Sequence, residues 1–169
     1  MTSGRDDSGI DQDQYMRETF QAIVMAVALA LPAAGAFAEG IGKVKVLTGE
    51  VTIERDGKRI PATLGAAVLQ SDRIHTGKDG SVGLLLDDDS RLSLGPNSTI
   101  AMDKFDYDIA TNDGAADVSM KKGTLSVISG KLTRKTPGAL KVRTPAAVLA
   151  VRGTEFSVMV EDPEQPQAR

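Results

Sequence analysis

Thr144-Pro145-Ala146-Ala147-Val148-Leu149-Ala150-Val151-Arg152-Gly153-Thr154-Glu155-Phe156-Ser157-Val158 decides the reading of this chain. Two apolar runs of strand length are joined by an Arg-Gly-Thr corner and entered through Thr-Pro. Proline fixes φ and biases the residue before it towards extended backbone, so Thr144-Pro145 suits a strand entrance. Gly153 inside a β run implies a bulge or a sharp bend. Beyond it Phe156 and Val158 alternate with Glu155 and Ser157, which gives that strand a buried and a wet face. Arg152 is the one charge among the apolar residues, and a buried guanidinium needs a carboxylate or carbonyl partner.

Other short phrases lie earlier in the chain. They are Gly49-Glu50-Val51-Thr52-Ile53, Leu69-Gln70-Ser71-Asp72-Arg73-Ile74-His75-Thr76-Gly77, Gly80-Ser81-Val82-Gly83-Leu84-Leu85-Leu86, Asp88-Asp89-Ser90-Arg91-Leu92-Ser93-Leu94 and Pro96-Asn97-Ser98. In this order, and closed by the Thr-Pro and Val-Arg-Gly-Thr-x-Phe phrases, they resemble a FecR-type domain over roughly residues 41–160. One departure is Asp88-Asp89-Ser90, where that family usually reads Asp-Gly-Ser. The resemblance implies Thr144, Pro145, Arg152, Gly153, Thr154, Phe156 and Asp72 as the structural and binding motif. It further suggests that Arg152 pairs with Asp72.

The remainder of the chain reads as one exported all-β domain. With 169 residues the prior is a single domain. Phe20 to Ala38 is apolar and ends in Ala36-Phe37-Ala38, a small-x-small cleavage pattern ahead of Glu39. Pro32 and Gly35 suit the end of a signal peptide better than a membrane-spanning helix. Asp6, Asp7, Asp11 and Asp13 form an acidic lead where a secretory signal favours a basic one, so Met16-Arg17 is the more ordinary start. Translation from Met1 with an uncleaved anchor stands as the alternative. The organisation expected is therefore a signal peptide over 1–38, an all-β domain over 39–160 and a disordered tail over 161–169 rich in proline and polar residues.

The first 38 residues hold five acidic and two basic residues, which leaves 18 of each after cleavage from totals of 23 and 20. A neutral domain offers no global field for nucleic acid or acidic lipid. Membrane contact is expected only if the leader stays uncleaved. There is no cysteine, so neither disulfides nor thiolate metal sites are open to the chain. A domain of this size buries roughly two-thirds of its unfolded surface and needs no covalent staple.

Turn signals and alternation predict the strands. Asp56-Gly57 separates Val51–Arg55 from Lys58–Ile60 as a hairpin turn does. Asp79-Gly80 leads into Ser81–Leu86, Asp87-Asp88-Asp89 into Ser90–Leu94, and Gly95-Pro96-Asn97 into Thr99–Met102. Residues 110–117, with Thr111-Asn112-Asp113-Gly114, read as a surface loop. Gly123, Gly138 and Gly153 recur at 15-residue spacing and open similar phrases, as a short β-solenoid would require; a rolled β-sandwich is the other architecture open.

Catalysis has little support. His75 is the only histidine, and no Gly-x-Ser-x-Gly elbow, Walker loop or dinucleotide fingerprint is present. No catalytic residue and no cofactor is expected. Asp87, Asp88 and Asp89 are the strongest candidates for a hard cation such as calcium, against a solvated turn as the plainer reading. Lys121-Lys122, Lys131 to Lys135, Lys141 and Arg143 form a modest basic stretch. It suits a solvated face first, or an anionic glycan or lipid headgroups.

The family resemblance implies a periplasmic or secreted module that relays signals by touching an envelope protein. The cytoplasmic segment and C-terminal extension of the family's regulators have no counterpart in this sequence, which suggests a stand-alone domain. The leading expectation is a non-catalytic binding module with a protein partner, bound by strand addition. A structural or polysaccharide-binding envelope protein is the alternative, with no nucleic-acid partner.

Overall fold

A computed structural model describes residues 40–152 and 155–161. The chain divides into two compact units, Met1–Phe37 and Ala38–Arg169, and all described residues lie in the second. The signal segment with Ala36 and Ala38, the corner residues Gly153 and Thr154, and the tail from 162 onward lie outside them.

The described unit is nearly all β. Its strands are β1 (Gly42–Thr48), β2 (Val51–Arg55), β3 (Lys58–Pro61), β4 (Ala67–Val68), β5 (Arg73–Thr76), β6 (Ser81–Leu86), β7 (Arg91–Leu94), β8 (Thr99–Asp108), β9 (Asp113–Ile128), β10 (Leu140–Arg143), β11 (Val148–Ala150) and β12 (Glu155–Val160). One short helix, α1 (Lys131–Lys135), interrupts them. The expected turns fall where glycine, asparagine and aspartate permit positive φ: Asp56 and Gly57 (51° and 74°) close the β2–β3 hairpin, Asp89 (66°) the β6–β7 turn, and Asn97 (52°) the β7–β8 turn.

A single curled sheet runs β3-β2-β5-β8-β9-β7-β6-β1-β4. Strand β9 joins its two halves. Its first half pairs with β8 and, in parallel, with β10; its second half pairs with β7 and β12. Burial follows this division. Ala116, Val118 and Met120 point inward at even numbers, and Leu125 and Val127 point inward at odd ones. The switch of face occurs at Lys121–Thr124, where Gly123 has φ 98° and the β8–β9 register slips between Thr99 and Ile100. A bulge of this kind bends a strand and re-aims its side chains. The bend lets both halves bury their inner faces in one core of Val44, Ile53, Ile74, Leu84, Leu92, Ile100, Leu125, Leu140 and their neighbours.

The solenoid alternative does not hold. The phrases after Gly123 and Gly138 do bury residues at the same offsets, Leu125 with Val127 and Leu140 with Val142. They sit in different halves of the sheet, however, and β12 meets β9 antiparallel, with Phe156 opposite Val127. A solenoid stacks successive turns in parallel. Two local expectations are also corrected. Asp113–Asp117, read as loop, continue β9 because they pair with Lys104–Asp108 of β8. Lys131–Lys135, read as part of a basic solvated stretch, form α1, with Leu132 fully buried.

Candidate functional site

With the inner positions of β2, β5, β8, β9 and β10 given to the core, their alternates line the opposite face. Pairing puts Arg59, Glu54, Arg73, Ala101, Ser119 and Arg143 opposite one another in turn, so they form one transverse row across six strands. The centre of the row is small (Ala101, Ser119) and its ends are long arginines. Small residues between long ones leave a depression, and a groove of about 860 Å³ lies there, lined also by His75, Thr99, Asp103, Lys121, Lys122, Thr144 and Pro145.

Charge in the groove is unevenly arranged. Glu54 is shared by Arg59 (Nε to Oε2, 3.3 Å), Arg73 (Nη1 to Oε1, 3.5 Å) and His75 (Nε2 to Oε2, 3.3 Å). The hydrogen bond from Arg59 holds the Glu54 carboxyl below the usual carboxylate range. His75 lies deeper. Its Nδ1 meets Thr99 Oγ1 at 3.2 Å, and its Nε2 is buried without an aligned hydrogen bond. Burial, followed by the charge of Arg59, pushes its pKa down, so it is held neutral. Across the groove Arg143 Nη2 reaches Asp117 Oδ2 at 3.3 Å, and Ser119 Oγ donates to Asp103.

The motif residues expected from sequence divide into three groups. Thr144 and Pro145 reach the groove rim by making a tight turn between β10 and β11: Ala147 N–H donates to Thr144 Oγ1 (3.0 Å) and Thr144 N–H to the Ala147 carbonyl (2.8 Å). They therefore close a hairpin rather than merely open a strand. Phe156 is half-buried on β12 and packs against the core. Asp72 is fully buried, and its partner is Arg55, not Arg152: Arg55 Nε donates to Oδ1 (2.8 Å) and Nη2 to Oδ2 (2.7 Å), with Leu69 N–H donating to Oδ2 (2.8 Å). Arg152 is exposed. Arg55 ends β2, which lies beside β5, so its fork meets Asp72 one residue before β5 begins.

The aspartate triplet does not make a cation site. Among the described residues no group of three His, Asp, Glu or Cys side chains could hold a metal ion. Asp88 turns inward and accepts from Ser90 N–H (3.0 Å) and Ser90 Oγ (2.7 Å), while Gly130 N–H donates to Ser90 Oγ (2.9 Å). Asp89 turns outward to Lys131 at 2.8 Å, and that bond lowers its pKa. The β6–β7 turn, with Asp89 at φ 66°, separates what the sequence places side by side.

Other phrases of the family pattern fasten turns to the sheet. Thr76 Oγ1 donates to the Gly95 carbonyl (2.7 Å) and accepts from Ser98 N–H (2.8 Å). Ser98 Oγ donates to the Gly95 carbonyl (2.8 Å) and accepts from Thr124 N–H (2.9 Å). A Cβ on Gly123 would stand 2.2 Å from Ser98 Oγ and 2.4 Å from its Cα, so the bend in β9 and the Ser98 hub need each other. A family model described as FecR protein matches residues 72–167. The chain belongs to the FecR family. No curated protein and no solved structure matches it.

FecR membership supports a signalling or regulatory module. The sequence marks Lys121, Lys122 and Arg143 of the groove as basic and Thr144 and Pro145 as motif residues, but nothing in it brings them together. Glu54, Arg59, Arg73 and His75 were missed as a group. Their outward parity was readable from alternation with Ile53 and Ile74, while the strand order that adds β8, β9 and β10 was not.

Proposed function

We propose that this FecR domain is an exported, non-catalytic recognition module of the cell envelope that takes a partner protein's strand along β12. The observation that carries the reading is the state of that edge. Among the described strands β12 pairs with β9 alone, over Glu155–Val160. From Phe156 to Val160 it has no charge, proline or glycine, the devices by which exposed edges are normally protected from other chains. Its outward side chains Glu155, Ser157 and Met159 are exposed, Met159 at 72%, while Phe156, Val158 and Val160 anchor it to the core. Such an edge supplies main-chain hydrogen bonds for affinity and alternate side chains for choice of partner. Family membership supports a signalling or regulatory role, and periplasmic placement fits it. No helix among the described residues is long and apolar enough to cross a membrane.

The test is a photo-crosslinking side chain at Met159 in intact cells, with a second placed at Leu64, which is 66% exposed in the β3–β4 connection. The expected result is a discrete envelope protein captured from Met159 and absent from Leu64. Equal capture from both, or none from Met159, refutes edge pairing.

A further inference from the structure

The groove on the other half of the sheet has a chemistry that strand addition does not use. We infer that it is a binding site for a hydroxyl-rich acidic polysaccharide, held by carboxylates laid across the strands. The first support is the placement of charge. Arg59 and Arg73 flank one side, Lys121 and Arg143 the other, and uncharged Ala101 and Ser119 lie between. With inter-strand steps of about 4.8 Å, Arg73 and Arg143 stand three steps, about 14 Å, apart along the sheet and Arg59 and Arg143 five steps, about 24 Å, too far for one small anion. A chain carrying repeated acid groups meets both ends. Arginine forks match carboxylate geometry with two parallel hydrogen bonds.

The second support is the balance of charge. The expected mature chain is neutral, 18 acidic against 18 basic residues. The groove is not: Arg59, Arg73, Lys121, Lys122 and Arg143 face Glu54 and Asp103, five cations against two carboxylates, or three when Asp117 beside Arg143 is counted. Glu54 and its partners Arg59 and Arg73 offset one another in part, so with Asp117 counted the groove keeps a net excess of two positive charges.

The third support selects the ligand class. The groove crosses a sheet face, where the backbone groups of β2, β5, β8 and β9 are used in the ladders; only β3 at its Arg59 end borders an edge, and that strand is short, carries Lys58 and Arg59 and ends in Pro61. Among the described residues its lining has no Phe, Tyr or Trp, and its apolar members are Ile100, Ala101, Met120 and Pro145. The hydroxyls of Thr99, Ser119 and Thr144 are bonded to His75, Asp103 and the Ala147 backbone, so contacts to sugar hydroxyls and carboxylates fall to the arginine and lysine donors. Without a stacking platform, binding rests on ion pairs and weakens with salt.

The experiment is calorimetric titration of the whole protein with an oligogalacturonate, a neutral glucan oligomer and poly-L-glutamate, at 50 and 200 mM salt. The expected result is binding of the oligogalacturonate alone. Its affinity is expected to fall about 15- to 60-fold over that fourfold salt increase, as two to three released counterions require. Lys121→Glu is expected to weaken it at least about tenfold, and Arg73→Gln about threefold to tenfold, with melting temperatures unchanged. Lys45→Glu on exposed β1 serves as the control and leaves binding intact. Equal or tighter binding of poly-L-glutamate would show a site for acidic protein chains instead. Binding of the neutral glucan, an affinity indifferent to salt, full affinity in Lys121→Glu, or no binding of oligogalacturonate would each overturn the inference. None of these outcomes bears on the β12 edge, which is read by crosslinking.

Discussion

Replacing Arg55 by alanine is expected to lower the melting temperature of this domain by about 8–16 °C, whereas the same change at Arg152 leaves it nearly unmoved. Asp72 is fully buried, and its carboxylate depends on two bonds from Arg55 and one from Leu69 N–H. Arg55 Nη2 also ties down the Ala67 carbonyl at 2.9 Å. Removing one member of a buried pair strands the other charge, at a cost of about 3–5 kcal/mol. The Arg55 side chain is 31% exposed, so water compensates in part, and about 2–4 kcal/mol is the better figure here. A folded unit of roughly 120 residues shifts about 4 °C per kcal/mol.

Differential scanning calorimetry on Arg55→Ala, Arg152→Ala and Arg55→Lys decides the matter. The lysine variant keeps the charge and loses the fork, so it is expected to fall between wild type and alanine. The pairing is then checked by the double variant Arg55→Ala/Asp72→Asn. Removing the stranded charge recovers part of the loss, and the two substitutions are non-additive. An Arg152→Ala protein as destabilised as Arg55→Ala, or an Arg55→Ala protein within about 2 °C of wild type, would refute the assignment of Asp72 to Arg55.

Three further outcomes are expected. Gly123→Ala places a Cβ 2.4 Å from backbone at Ser98 and requires φ 98° of alanine, so a loss of about 2–4 kcal/mol is expected in urea titration; a loss under about 0.5 kcal/mol would show that the bend in β9 is not tightly packed. Asp89→Gly is expected to melt no lower than wild type and Asp89→Val about 4–8 °C below Asp89→Gly, because φ 66° is strained for a β-branched residue; equal melting points would remove that strain from the account of the β6–β7 turn. His75 has its folded pKa depressed below 6.5 by burial, so its contribution to stability is present above pH 6.5 and is lost as pH falls from there towards the lower folded value; the melting point of the wild type should therefore decline from pH 8 to pH 5.5 more steeply than that of His75→Gln, and parallel curves would contradict a buried neutral imidazole.

Local signals in the sequence carried most of the strands and turns. Alternation located Ser81–Leu86, and Asp56-Gly57 and Pro96-Asn97 announced turns whose φ values only a few residue types accept. What failed was register. Asp72 and Arg152 are the charged residues that a linear reading pairs, because each belongs to a recognisable phrase. Arg55 belongs to none, and only the antiparallel pairing of β2 with β5 brings it to Asp72. The same gap hid the groove. Arg59, Arg73 and Arg143 are distant in sequence and adjacent only once β3-β2-β5-β8-β9-β10 is known. The aspartate triplet misled in the opposite way, since adjacency in sequence put Asp88 and Asp89 on opposite sides of a turn.

The phrases that identify the family and the residues able to recognise a ligand are largely different residues, and burial explains why. Asp72, Thr76, Asp88, Ser90 and Ser98 are all buried, and each spends its polar atoms on a turn or a neighbouring strand. A side chain so employed has nothing left to offer a partner. The proposed recognition surfaces therefore use outward positions such as Arg73, Lys121 and Met159, which alternate with the core residues and can change without disturbing it. Thr144-Pro145 is the exception, a family phrase whose turn also forms the groove rim beside Arg143. The phrases that place the chain in the FecR family thus lock the turns of the curled sheet, while the proposed ligand surfaces lie on the outer face and the β12 edge.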